Sequence, residues 1–232
     1  MRPEGAEGPW GVGSSLREKV DPGRTALLIV DVQNDFCADG AHFARCGADL
    51  PPIQQAVTHL VPLLDVARQA AVTVVFVQAI YDEKFVGGPE LDRRAASGTM
   101  WPRCVHGTWG ADFFRVRPTP DDFVVRKHRY SGFLGTDLDV ILRARGVRTV
   151  VMAGVATDVC VESTARDAFM RDYHVVVVSD CTAATRPDIQ VPTLERLGAY
   201  FGVVTSSSEL MQIWQPAMTA AAGSQKNRRV RS

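Results

Sequence analysis

Three side chains with complementary chemistry each follow an apolar, strand-like run. Asp31 comes directly after TALLIV (25–30), Lys127 directly after FVVR (123–126), and Cys160 a turn or so beyond TVVMA (149–153). A thiol attacks acyl carbon. A carboxylate within reach takes its proton and returns it to a leaving group, and an ammonium keeps that carboxylate ionised. Taken singly, each residue has a plain structural explanation. A free cysteine is usually a small buried hydrophobe, an aspartate after a strand is commonly a turn residue, and a lysine there is usually solvated. Ligand sites in open parallel sheets, however, lie beyond the carboxyl ends of the strands. Three reactive groups at three such ends therefore read as one catalytic set: Asp31, Lys127 and Cys160.

The segment Arg148 to Ala184 has to position the thiol. It reads as a buried strand (149–153), a turn (154–158), a helix from Cys160 to Met170 with Asp158 as its N-cap, and a second buried strand (175–178). This places Cys160 in the first turn of a helix, where unpaired N–H groups and the helix dipole bias a thiol toward thiolate. The remaining strands are expected at 25–30, 72–77 (with Gln78 at its end), 123–126 and 200–205. Helices are expected at 51–70, at 136–145 capped by Thr136 and stopped by Gly146, at 189–197, and from a Ser206 cap through Trp214. Residues 32–50 read as loop. Residues 79–121 read as a long irregular loop whose aromatics suit an ordered cover.

Alternating strands and helices predict an α/β fold, a doubly wound, six-stranded, mainly parallel sheet with helices on both faces. The three reactive residues meet most easily if strands one, three and four are neighbours. The alternative places strand one beside strand four, with Lys127 reaching in. Residues 21–215 are expected to form one domain, 1–20 a flexible arm and 216–232 a disordered polar tail.

Composition narrows the function classes. The 232 residues are 46% hydrophobic, enough for a sizeable core, and the formal net charge is zero. Neither a nucleic-acid nor a membrane partner is expected. Five scattered cysteines and no CxxC pair argue against a disulfide framework or a structural zinc site. With no apolar leader, the expectation is a cytoplasmic protein.

The segments LLIVDVQNDF, VVRKHRYSGFLGTDLD and GVATDVCVESTARDA, in that order, resemble the three signature blocks of the isochorismatase-like cysteine hydrolases, specifically their amidase branch. The resemblance spans about Thr25 to Leu210. It implies a three-layer α/β/α (Rossmann-like) fold, a catalytic Asp31–Lys127–Cys160 triad and a cis Val155–Ala156 peptide. It also implies an oxyanion hole from the N–H groups of Ala156 and Cys160. The implied activity is cleavage of a C–N bond in a small ureido, carbamoyl or amide substrate through a thioester, with water as co-substrate and no cofactor. Two alternatives stay open: a nicotinamidase-like or isochorismatase-like hydrolase, and a catalytically silent binding member.

Nicotinamidases of this superfamily carry Asp-x-His after strand two and a histidine in a WPxHC block. Here those places hold Gln78-Ala79-Ile80 and, in WPRC, Arg103, so no metal is expected. Tyr130, Phe36, Gln78 and Gln190 are the candidate substrate contacts, each also explicable as a core aromatic or a solvated amide. The working form is expected to be a homo-oligomer, a dimer or tetramer.

Overall fold

The computed structural model of the protein describes residues 14–99 and 102–215. Six parallel strands form its sheet: β1 (Thr25–Val30), β2 (Thr73–Ala79), β3 (Phe123–Lys127), β4 (Thr149–Val155), β5 (His174–Ala183) and β6 (Gly202–Thr205). Their order is β3-β2-β1-β4-β5-β6. The chain thus winds outward from β1 in one direction and from β4 in the other. The boundary between the two halves is where the strand order reverses, the usual place for a ligand.

Strand alternation sorts the core onto two faces. Leu27, Ile29, Phe76 and Val151 face one side, covered by the long helix α4 (Leu50–Gln69) and by Leu210 and Trp214 of the helix at 207–215. Leu28, Val75, Met152 and Val177 face the other, covered by α6 (Leu138–Ala144), α7 (Glu162–Phe169) and α8 (Pro187–Tyr200). β1 and β4, buried on both faces, are the uniformly apolar runs that the sequence displays. The three-layer, doubly wound fold is therefore as the sequence predicts.

Four details differ from the sequence reading. Part of the expected N-terminal arm belongs to the fold. Residues Leu16–Lys19 form a helical turn, α1, closed by a capping box between Ser15 and Glu18. Val20 is fully buried, and its carbonyl accepts from Trp214 Nε1 at 2.9 Å. Residues 1–13 and the expected tail at 216–232 lie outside the described residues.

The stretch 32–50 holds two helical turns, α2 (Asn34–Cys37) and α3 (His42–Arg45). The stretch 79–121 holds a nine-residue helix, α5 (Gly88–Ala96), whose charged composition hid it among Gly and Pro. Strands one, three and four are not neighbours either: β2 lies between β1 and the edge strand β3. The alternative order, with β1 beside β4, is the one found.

Gly154 shows how tightly the centre of the sheet is built. It has φ +118°, and a Cβ there would stand 2.0 Å from the Val30 carbonyl oxygen. Only glycine lets β4 lie this close to the end of β1 and then turn toward Cys160.

Candidate active site

Asp31 directly follows β1 with φ +53°, a left-handed conformation that aspartate tolerates better than most residues. Its N–H donates to the Val77 carbonyl at 2.9 Å, which fixes it over the end of β2. Lys127 is the last residue of β3 and is fully buried. Its ammonium has three partners: Asp31 Oδ2 at 2.8 Å, the Arg129 carbonyl at 3.0 Å and Cys160 Sγ at 3.4 Å. The structure thus brings Asp31, Lys127 and Cys160 together.

Cys160 lies in a π-type turn, Thr157–Val161, that leads into α7. Ala156, not Asp158, occupies the N-cap position, and no side chain caps the turn. Asp158 falls inside the turn because the wider winding moves the helix start back by two residues. The Val155–Ala156 peptide just before it is cis. The Thr164 hydroxyl donates to the Cys160 carbonyl at 2.7 Å and accepts from Gly132 N–H at 3.0 Å, joining the thiol's helix to the loop after β3.

Electrostatics revise the state expected for the thiol. Burial pushes Cys160 up to about 12; the Asp31 charge adds to that, and Lys127 only partly offsets it. At rest the group is a neutral thiol, because desolvation outweighs the helix terminus that the sequence suggested. Burial also raises the Asp31 carboxyl above its ordinary range, against the pull of Lys127. Lys127 is held protonated, chiefly by Asp31, despite its own burial. Neither Asp31 oxygen has a hydrogen-bond donor among the described residues, although Oδ2 has the ammonium as an ion-pair neighbour. A buried carboxylate with spare acceptor capacity beside a neutral thiol is a base waiting for a proton.

Asp31 and Cys160 line a cavity of about 300 Å³. Phe36, Phe43, Tyr81 and Tyr130 supply aromatic surface, and Arg93, Arg103 and Arg186 supply charge. Of the four expected substrate contacts, Phe36 and Tyr130 line this cavity.

Gln78 and Gln190 do not. The Gln78 amide donates to the Ala111 carbonyl at 2.9 Å and braces the cover. The Gln190 amide accepts from Ala184 N–H at 2.8 Å and donates to the Thr182 carbonyl at 3.0 Å, tying α8 to the end of β5. Their amide groups are committed to backbone, and Gln78 shares the Ala111 carbonyl with Gln33.

Several site residues escaped the sequence reading. Gln33, fully buried, donates to the carbonyls of Ala79 and Ala111 and accepts from Ala79 N–H at 2.8 Å, clamping the ends of β1 and β2. Its signal was its position two residues after Asp31. Tyr81 lies against the site with Lys127 Nζ 5.8 Å from its ring centroid and the Arg103 guanidinium carbon 4.8 Å away. Arg93 lies on α5, whose charged, Gly- and Pro-flanked sequence carries no apolar period to mark a helix.

A family model described as Isochorismatase domain matches residues 25–209. The chain is 36% identical to a ureidoacrylate amidohydrolase of Rhizobium rhizogenes, over 86% of this chain and 87% of that one. Its fold is similar to that of a cysteine hydrolase from Pseudomonas syringae pv. phaseolicola (TM-score 0.75, 30% identity, covering 86% of this chain and 96% of the other). It is also similar to N-carbamoylsarcosine amidase from Thermoplasma acidophilum (TM-score 0.65, 30% identity, covering 79% and 96%).

Proposed function

The chain belongs to the isochorismatase family, and from that premise we propose that it is a cysteine-dependent amidohydrolase that cleaves a C–N bond of a small ureido, carbamoyl or amide compound. The observation that carries this reading is the contact of Lys127 Nζ with both Asp31 (2.8 Å) and Cys160 (3.4 Å) beside the cavity. Similarity to a ureidoacrylate amidohydrolase and to an N-carbamoylsarcosine amidase supports a ureido or carbamoyl substrate.

In this mechanism the substrate carbonyl enters beside Cys160. Asp31 takes the thiol proton as sulfur attacks the acyl carbon, so the nucleophile forms during the step rather than beforehand. The oxyanion is met by the N–H groups of Ala156 and Cys160. Asp31 then gives the proton to the leaving nitrogen, which departs as an amine or ammonia and leaves a thioester on Cys160. Water, deprotonated by Asp31, attacks the thioester and releases the acid, and the thiol recovers its proton. Lys127 keeps its own proton throughout and holds Asp31 in place.

The same reading has the chain acting as a cytoplasmic homo-oligomer, a dimer or tetramer, on a small molecule and water. Among the described residues no helix is long and apolar enough to cross a membrane.

The test is ammonia release from a panel of ureido acids, carbamoyl amino acids and nicotinamide. Turnover of a ureido or carbamoyl member, abolished in Cys160→Ala, with a trapped acyl adduct on Cys160, is the expected result. Adducts on Cys37 or Cys181 instead, or undiminished turnover by Cys160→Ala, overturn the mechanism. Turnover of nicotinamide alone overturns the substrate class.

A further inference from the structure

The cavity carries charge that the proposed chemistry does not use. Glu90 of α5 is surrounded by three guanidinium groups. Its Oε1 accepts from Arg93 Nη2 at 3.0 Å, Arg94 Nε at 2.9 Å and Arg103 Nη2 at 2.6 Å. Its Oε2 accepts from Arg93 Nε at 3.1 Å and from the Tyr130 hydroxyl at 3.4 Å. One carboxylate against three arginines leaves two positive charges. Glu90 itself stands behind the cavity wall; among the described residues the acid that lines the cavity is Asp31, which is matched by Lys127. Arg186, also at the cavity, is already paired with Asp188. The surplus therefore belongs to the Glu90 cluster, and two of its members, Arg93 and Arg103, line the cavity.

Arg103 is the better-placed of the two. It is only 7% exposed, and its guanidinium is held between Glu90 and the face of Tyr81. A guanidinium has five N–H donors. Among the described residues Arg103 commits one of them, to Glu90. A buried, pre-oriented fork with free donors at a cavity wall matches a carboxylate, which takes two parallel N–H bonds and neutralises the charge. Glu90 sets the angle of the fork and does not saturate it.

Building on the amidohydrolase reading, we propose that Arg103, seconded by Arg93, forms a carboxylate-binding subsite of this cavity, so that the substrate bears a carboxylate besides the carbonyl attacked by Cys160. Ureido acids and carbamoyl amino acids then bind with both ends recognised. Their neutral carboxamide counterparts lose the second anchor.

Two small alkylating reagents test the subsite without relying on turnover. Iodoacetate and iodoacetamide deliver the same carbon to a thiol, but only the first carries a carboxylate. The ratio of their rates at Cys160, followed by peptide mass spectrometry, is compared with the ratio for the urea-unfolded chain. In the native protein the ratio is expected to exceed the unfolded value by about tenfold or more, and to fall about tenfold in Arg103→Met. Because Arg103 is buried, Arg93→Gln serves as the second variant. The Arg93 side chain is 45% exposed, and its replacement should lower the ratio by about threefold. A native ratio equal to the unfolded one, or the same ratio in both variants and the parent, overturns the subsite.

A parallel assay compares kcat/KM for a carbamoyl amino acid and for its carboxamide. Preference for the acid that drops in Arg103→Met supports the proposal, and equal losses on both compounds overturn it. Should neither compound turn over, the amidohydrolase reading fails, while the alkylation ratio still decides the subsite.

Discussion

Lys127 Nζ lies 2.8 Å from Asp31 Oδ2 although a whole strand, β2, separates the strands that carry the two residues. Lys127 pairs in register with Ala79, the last residue of β2, while Asp31 turns over the same strand end through its bond to Val77. The lysine stem spans β2, and the ammonium ends between the carboxylate and the thiol. A shorter side chain at the end of β3 could not make this contact.

The pair is fully buried, so removing one member leaves an unpaired charge. Lys127→Met is expected to cost about 3–5 kcal/mol in urea unfolding and to remove turnover. The double variant Asp31→Asn/Lys127→Met, whose asparagine keeps the left-handed backbone at position 31, should regain part of that stability and none of the activity. Additive effects of the two single variants would show that the two groups are not energetically coupled.

Asp31 must be ionised to take the thiol proton, and burial raises its carboxyl above the ordinary 3.8. The acid limb of kcat/KM is therefore expected above pH 3.8, with activity lost as pH falls through it. The apparent value belongs to the coupled Asp31–Lys127–Cys160 unit. An acid limb at or below 3.8 would remove Asp31 as the base.

At alkaline pH the sign reverses. Cys160 is pushed up to about 12 in the folded chain, against 9.0 for an ordinary thiol. Below pH 9 both states keep the proton and the contribution is complete. Between about 9 and 12 the unfolded chain loses a proton that the folded chain retains, so stability falls by about 1.4 kcal/mol per pH unit for each such group. Cys37, Cys104 and Cys181 are shifted the same way by burial. Urea midpoints at about pH 8 and about pH 10 check the slope, and Cys160→Ala should make it shallower.

Gln33 and Gln78 both donate to the Ala111 carbonyl, but Gln33 alone also serves both backbone groups of Ala79. Gln33→Leu orphans two buried groups and is expected to cost about 2–5 kcal/mol. Gln78→Leu leaves Ala111 served and should cost about 1 kcal/mol. Thermal or urea unfolding of the two variants reads this order directly.

Gly154→Ala places a Cβ 2.0 Å from the Val30 carbonyl oxygen at a φ of +118°. Neither strand end can move without displacing Asp31 or Cys160. We expect a loss above about 4 kcal/mol, or no soluble protein, measured by expression and circular dichroism. A stable, active Gly154→Ala protein would mean that the two strand ends are joined loosely enough to part.

Much of this protein is local enough to be written in one dimension. The double-sided burial of β1 and β4 forces uninterrupted apolar runs, and an open parallel sheet puts the residues just beyond those runs on one rim. That logic alone selects Asp31, Lys127 and Cys160. Strand order is not local. Whether β3 lies beside β1 or beyond β2 depends on which crossovers pack best, and no residue of β3 encodes it.

The thiol's charge state is not local either. A helix start in the sequence suggests thiolate, but burial, a property of the assembled core, raises Cys160 instead. The same holds for the glutamines. As isolated residues, Gln78 and Gln190 offer amides to a ligand; in the fold, the carbonyls of Ala111 and Thr182 claim those amides first. The arginines around Glu90 reverse the case. They are scattered over a stretch without apolar period, and only the folding of α5 against the loop bearing Arg103 turns them into one charged wall.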